Sequence, residues 1–243
     1  MATGVVAGFM NVMAGGGSLL SMPVLVLLGM DGPVANGTNR VAILAQNLTA
    51  STSFFRQGYS DPKLSLNLSL CALPGAALGA YMGTKLGGVW FNRVLAAVML
   101  VVLFLMWQRK KVTREAGGNA NQIRPGRMVP AQLLMTAAGF YGGFIQAGVG
   151  FILMAILHRV LALDLVRVNM HKVFIIGTYT CVALAIFAAK GEVRWLDGAL
   201  LAVGNAAGGW AASRLAIKKG ERLIRRIFYA LLAVMALKLL FFH

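Results

Sequence analysis

The chain has 243 residues, 58% of them hydrophobic and only 12% charged, with a mean hydropathy of +0.74. That composition excludes an ordinary soluble domain of this size and makes the lipid bilayer the solvent. The formal net charge of +16 predicts no nucleic-acid partner, because Lys and Arg in a polytopic protein gather in cytoplasmic loops and set orientation.

In chain order the apolar runs fall at 4–28, 34–55, 64–84, 91–107, 129–157, 166–189, 195–213 and 224–242. Most reach the roughly 20 residues that a helix needs to span hydrocarbon. Stretches such as 98–107 are apolar on every side. The two-residue alternation of a membrane β-barrel is therefore absent, and the predicted fold is all-α. No signal peptide is expected, since Met1 to Gly8 lacks a basic flank.

The first run is interrupted by Ala14-Gly15-Gly16-Gly17-Ser18, with Pro23 a little further on. Each glycine costs a helix about 1 kcal/mol relative to alanine, and proline removes a backbone donor. Such a break at membrane depth survives only where protein or a water-filled cavity satisfies the freed polar groups. The run 129–157 carries a matching cluster at Gly148 and Gly150. Helices restarting at these clusters would aim free N–H groups and a positive dipole end at an anion, and glycine lets the backbone approach it closely. Ser18 and Ser21 add hydroxyl donors in the first half; Tyr141 and Gln146 are the main polar groups in the second. Close helix packing is the alternative use of such glycines.

The helices that follow start with unusually polar segments, ANGTNRVAILAQN at 35–47 and RVNMHKVFIIGTYT at 167–180. Asn36, Thr38, Asn39, Arg40 and Gln46 stand in the first, Asn169, His171 and Lys172 in the second. Arg40 and Lys172 are intramembrane cations, either ligands for an anion or anchors that snorkel to the interface. Asp31 and Asp164 precede these helices and read as caps. Small residues every four positions in 75–83, and again at Gly204, Gly208 and Ala212, read as a packing seam. Cys71 and Cys181 read as small core residues. His158 and His171 are isolated, and no metal-ligand, CxxC, HExxH or Ser-His-Asp pattern occurs. Neither a cofactor nor an enzymatic activity is expected.

The chain repeats internally. At an offset of 133 residues, Ala14, Gly15 and Gly17 fall on Ala147, Gly148 and Gly150; Asp31 and Asn36 fall on Asp164 and Asn169; Phe54 and Gly58 fall on Phe187 and Gly191. After a four-residue slip, GAALGAYMGTKL (75–86) matches GNAAGGWAASRL (204–215), with Tyr81 over Trp210 and Lys85 over Arg214. Residues 1–108 and 129–243 are thus two repeats joined by a basic cytoplasmic linker, 109–128.

Loop charge decides their relative orientation. If both glycine-broken runs cross the membrane, the 23 basic residues divide 11 inside to 12 outside; if both enter and return on one side, they divide 17 to 6. The positive-inside rule favours the second arrangement. The expected architecture is two inverted repeats, each a re-entrant hairpin (4–28 and 129–157) plus three transmembrane helices.

AGGGSLLSMPVLVLLG (14–29) followed by ANGTNRVAILAQN (35–47), a basic turn at 56–63, the glycine-rich 75–86 and their second-half counterparts resemble the sulfite exporter TauE/SafE family. The resemblance implies roles for Gly15, Gly16, Gly17, Pro23, Thr38, Asn39, Gly148 and Gly150. It also implies transport of sulfite, a sulfonate such as sulfoacetate, or a related small anion across the bacterial inner membrane, often as export. With the residue reading, the expected substrate site comprises Gly15, Gly16, Gly17, Ser18, Thr38, Asn39, Arg40, Gln46, Gln146, Gly148, Gly150, Asn169, His171 and Lys172. The partners are a small anionic substrate and the lipid bilayer, and homo-oligomerisation is left open. A secondary transporter leads, with a passive anion channel as its alternative, and a membrane enzyme or scaffold behind.

Overall fold

The computed structural model describes residues 1–107 and 125–215. Most of the linker 109–128 and the whole run 224–242 lie outside the described residues. Within them, all regular structure is helical.

The first apolar run is broken into α1 (Ala2–Ala14) and α2 (Ser18–Leu27). Gly15, at φ 85°, is the left-handed residue that ends α1, and its N–H donates to Met10 and Asn11 carbonyls at 3.1 and 2.9 Å. Then the chain doubles back. A Cβ placed on Gly17 would collide with the Ala7 carbonyl, whereas ten residues of unbroken helix would hold the two about 15 Å apart.

The run 129–157 behaves alike. α6 (Met128–Phe144) stops before Gly148, which has φ 74°, and α7 (Val149–Ala155) continues through a π-helical turn, Ile156–Val160. Arg127 Nη1, at the start of α6, donates to Val160 O, at the end of the return arm, at 3.4 Å. The two ends of this segment are neighbours.

Between and after the hairpins come α3 (Gly32–Arg56), α4 (Pro62–Gly83), α5 (Gly88–Trp107), α8 (Leu165–Ala189) and α9 (Trp195–Leu215). Asp61 caps α4 through Leu64 N–H, and Asp164 caps α8 through the N–H groups of Val166 and Arg167. Asp31 stands at the N-cap of α3 but its side chain caps nothing. Pro33 occupies a position whose N–H such a cap would take, so the expected cap has lost a donor. Gly58 and Gly191, equivalent in the repeat, both follow their helices with positive φ, 82° and 74°.

Two seams hold the bundle. A Cβ on Gly204 would collide with Met1 O, and one on Gly208 with Val5 O; a Cβ on Gly75 would collide with Thr136 O, and one on Gly79 with Phe140 O. Gly4 against Leu201 and Gly8 against Asn205 match Gly139 against Ala72 and Gly143 against Ala76. Thus the α1–α9 and α6–α4 interfaces are one interface used twice, with backbones touching where side chains are absent. The register of α6 on α1 in this seam is 135 residues rather than the 133 read from the sequence, because the second hairpin reaches its turn glycine two residues sooner.

α3 and α8, also equivalent, lie against each other antiparallel. Gly37 meets Phe187, Asn47 meets Gly177, and Phe54 clusters with Met170. Their polarity is inside out. Asn36, Asn39, Arg40, Gln46 and Lys172 are fully buried, whereas Leu196, Leu133 and Phe55 are 75%, 69% and 68% exposed. α4 and α8 are the two described helices that are long and apolar enough to cross a bilayer by hydropathy alone; α3 falls short because its buried face is polar. Cys71 is half-buried, but Cys181 is exposed. The core reading of Cys181 is corrected: on a helix whose outer face is apolar, a small sulfur side chain suits the outside as well.

Candidate functional site

The hairpin turns meet in the interior. A Cβ on Gly15 would lie 2.5 Å from the Gly150 carbonyl carbon and 2.8 Å from Phe151 N. No side chain caps α2, which starts after Gly17, or α7, which starts after Gly148. Gly16 O accepts from Leu19 N at 3.0 Å. Ser18 is buried beside it. Ser21 Oγ, one turn on, donates to Asn39 Oδ1 at 2.6 Å, tying the first turn to α3.

Arg40 reaches the second hairpin. Its Nη1 donates to Gly142 O at 3.2 Å and Gln146 Oε1 at 3.4 Å, and its Nη2 to Asn36 Oδ1 at 3.3 Å and to Gly143 O. Asn36 Nδ2 donates to Phe144 O at 2.8 Å, and the guanidinium stacks 4.7 Å from the Phe187 ring centre. A cation and an amide thus satisfy the last carbonyls of α6, where the helix dipole is negative. The other half repeats the device. Lys172 Nζ donates to Val12 O, in the last turn of α1, at 2.7 Å and to Asn169 Oδ1 at 2.8 Å. Asn36 and Asn169 are repeat-equivalent; Arg40 and Lys172 occupy different positions but do equivalent work. Neither cation snorkels.

Thr38 and His171, also equivalent, serve helix contacts. Thr38 Oγ1 accepts from Arg194 N at 2.9 Å, and His171 Nδ1 shares a hydrogen bond with Ser65 Oγ at 2.8 Å. They lie outside the group gathered at the turns. Gln46 is further along α3, its Oε1 accepting from Asn205 Nδ2 at 3.4 Å. Gln146 Oε1 also accepts from Tyr179 OH at 3.3 Å, and Tyr141 OH donates to Ala147 O at 2.6 Å within its own hairpin.

Among the described residues, six buried side-chain polar atoms lack a partner: the donors Asn39 Nδ2, Arg40 Nε and Gln46 Nε2, all on α3, the Thr180 hydroxyl, and the amide oxygens of Asn47 and Asn205. Asn39 and Gln46 are two turns apart on one face. A buried donor left unpaired is costly, and donors without acceptors suit a group that brings oxygens. Among the described residues no carboxylate competes, since the acidic ones stand at helix ends or in loops. Among the described residues, no three His, Cys, Asp or Glu side chains gather where a metal would sit. Sequence reasoning missed Asn205 and Ser65. Asn205 carried a signal, being a lone amide in a run of small and apolar residues.

A helical bundle with a polar, cationic interior and an apolar exterior is an integral membrane protein, and its paired broken helices are those of a transporter. The chain belongs to the sulfite exporter TauE/SafE family, whose model matches residues 1–239. A probable membrane transporter protein, YfcA, of Escherichia coli K12 is 27% identical over 239 residues, covering 97% of this chain and 86% of the relative. A probable membrane transporter protein of Haemophilus influenzae is 25% identical, covering 98% and 92%. The probable membrane transporter protein ORF9 of a Sinorhizobium species is 25% identical, covering 97% and 88%. No solved structure matches.

Proposed function

We propose that this membrane transporter is a secondary carrier of a small sulfur oxyanion or organosulfonate, such as sulfite or sulfoacetate, and that it exports this anion across the bacterial inner membrane. The two halves act as inverted repeats, and access alternates around a midplane site where the hairpin turns meet. Antiparallel packing of the equivalent helices α3 and α8 supports the inversion, because repeats related by an axis along the membrane normal would keep them parallel. The family and the names of its relatives support transport.

The observation that carries the substrate class is the pair of orphaned buried donors Asn39 Nδ2 and Arg40 Nε on α3, whose side chains bond to the two hairpins, where the restarting helices have no side-chain cap among the described residues. An oxyanion supplies the missing acceptors. Backbone contact between Gly15 and Gly150 favours a gated carrier over an open channel. Gly15, Gly16, Gly17, Ser18, Asn39, Arg40, Gln46, Gln146, Gly148 and Gly150 are the substrate-facing set. Asn169 and Lys172 fix the first turn from behind.

Purified protein in proteoliposomes, tested with sulfite, sulfoacetate and phosphate, should give saturable flux of the sulfur anions. No flux of any small oxyanion overturns the proposal, and conductance far above carrier turnover would select a channel instead.

A further inference from the structure

An open pocket of about 440 Å³ lies between the end of α3 and the end of α9, lined in part by Thr49, Ser53, Arg56, Trp210 and Arg214. A water occupies about 30 Å³ of liquid, so the pocket has room for a small oxyanion with part of its hydration shell. Among the described residues, two guanidinium groups line it and no carboxylate does. The Arg214 guanidinium lies 4.1 Å over the Trp210 ring, which holds it flat and leaves its N–H edges free to face an anion. Arg56 has neither a hydrogen bond nor an ion pair among the described residues. Ser53, in the lining, lies 2.7 Å from the hydroxyl of buried Ser213, which is also 2.8 Å from Trp210 O.

A similar set of two cations beside a ring stands on Tyr81. Tyr81 and Lys85 are the repeat partners of Trp210 and Arg214, and Lys85 Nζ lies 4.5 Å from the Tyr81 ring centre. Lys190, whose repeat partner Gln57 adjoins Arg56, lies 5.9 Å from it. Tyr81 and Trp210 are each 45% exposed. Because α3 and α8 run antiparallel, the two trios stand at opposite ends of the bundle.

We propose that Arg56, Trp210 and Arg214 form an oxyanion-binding mouth, and that Lys85, Lys190 and Tyr81 form its counterpart at the other end. The ligand chemistry is a phosphate- or sulfonate-type group, supplied by a free anion or by an anionic lipid headgroup. The inference rests on the transport reading only for the identity of the free anion. Two cations beside an aromatic wall at each end would gather anions from either compartment before they reach the buried donors.

The test uses the full chain in phosphatidylcholine nanodiscs, titrated with radiolabelled sulfite, and in nanodiscs containing phosphatidylglycerol, with retained lipid counted by native mass spectrometry. The double variants are Arg56→Gln with Arg214→Gln, and Lys85→Gln with Lys190→Gln. Each should weaken sulfite binding or phosphatidylglycerol retention about tenfold, the scale of one or two charged hydrogen bonds. The charge-keeping Arg56→Lys with Arg214→Lys should restore it. Loss of sulfite binding names the free anion as ligand, and loss of lipid retention names the headgroup. Unchanged binding of both probes overturns the proposal, as does a loss that the lysine variant fails to restore. Neither readout needs transport, so a protein that moves no sulfite yet passes this test fails only the carrier reading.

Discussion

Replacing Arg40 by methionine separates a structural cation from a ligand. The change removes the donors to Gly142 O, Gly143 O and Asn36 Oδ1, while Gln146 Oε1 keeps Tyr179 OH. Three buried acceptors are orphaned, at about 1 kcal/mol each, and the favourable cation at the α6 C-terminus goes, worth up to about 2 kcal/mol in a buried setting. Against this, methionine no longer holds a buried charge without a carboxylate partner, which recovers part of the loss. The orphaned carbonyls outweigh that recovery, for a net destabilisation of about 2 kcal/mol, or a drop of roughly 4–8 °C in the thermal midpoint of the detergent-solubilised protein. Arg40→Lys should fall between, since an ammonium keeps the charge but loses the two-pronged geometry. If Arg40→Met leaves the melting profile unchanged and only weakens sulfite affinity, the capping role is wrong.

Three further perturbations follow from the same geometry. Gly150→Ala puts a methyl 2.8 Å from the Gly15 carbonyl carbon, where ordinary contact begins near 3.4 Å; parting the turns should cost about 1–3 kcal/mol and abolish sulfite flux in proteoliposomes while the protein still inserts. Asn39→Asp keeps the shape but swaps an orphaned buried donor for a negative charge, so sulfite affinity should fall at least tenfold above the carboxylate's pKa; unchanged affinity would remove Asn39 from the substrate site. Gly79→Val should disrupt the α4–α6 seam, where a Cβ already collides with Phe140 O, and lower the thermal midpoint more than Gly191→Ala, whose added Cβ meets nothing within 4 Å.

What the sequence made legible was set by backbone chemistry. Glycine clusters and proline mark helix breaks from any starting point, so both turns, and the helices between them, were readable to within a few residues. The seam in 75–83 was readable too, because small residues four apart have one principal use between helices. Side-chain partners were less legible. Arg40 and Lys172 sit at different repeat positions, and nothing in a linear comparison says that both would reach the end of the opposite hairpin's first arm. Thr38 and His171 read as ligands because a polar group in an apolar span invites that reading; the sequence did not show that Thr38 would accept from Arg194 N, just before α9, or that His171 would share a hydrogen bond with Ser65 Oγ on α4. Asp31 and Asp164 precede equivalent helices, yet Pro33 takes from the first one of the two N–H donors that the second uses. The register of α6 on α1 was hidden because the alignment was anchored on the turn glycines, where the shorter second turn takes up the difference.

The most direct test of the opposed arrangement is sided labelling at Gly58 and Gly191, which follow the equivalent helices α3 and α8 and have open space around them. With Cys71 and Cys181 replaced by alanine, single Gly58→Cys and Gly191→Cys variants are expressed in cells and treated with a membrane-impermeant maleimide. Gly58→Cys should react only after the cytoplasmic side is opened, and Gly191→Cys from outside intact cells. Labelling of both from the same side would contradict the inverted architecture and, with it, the carrier built around two meeting turns.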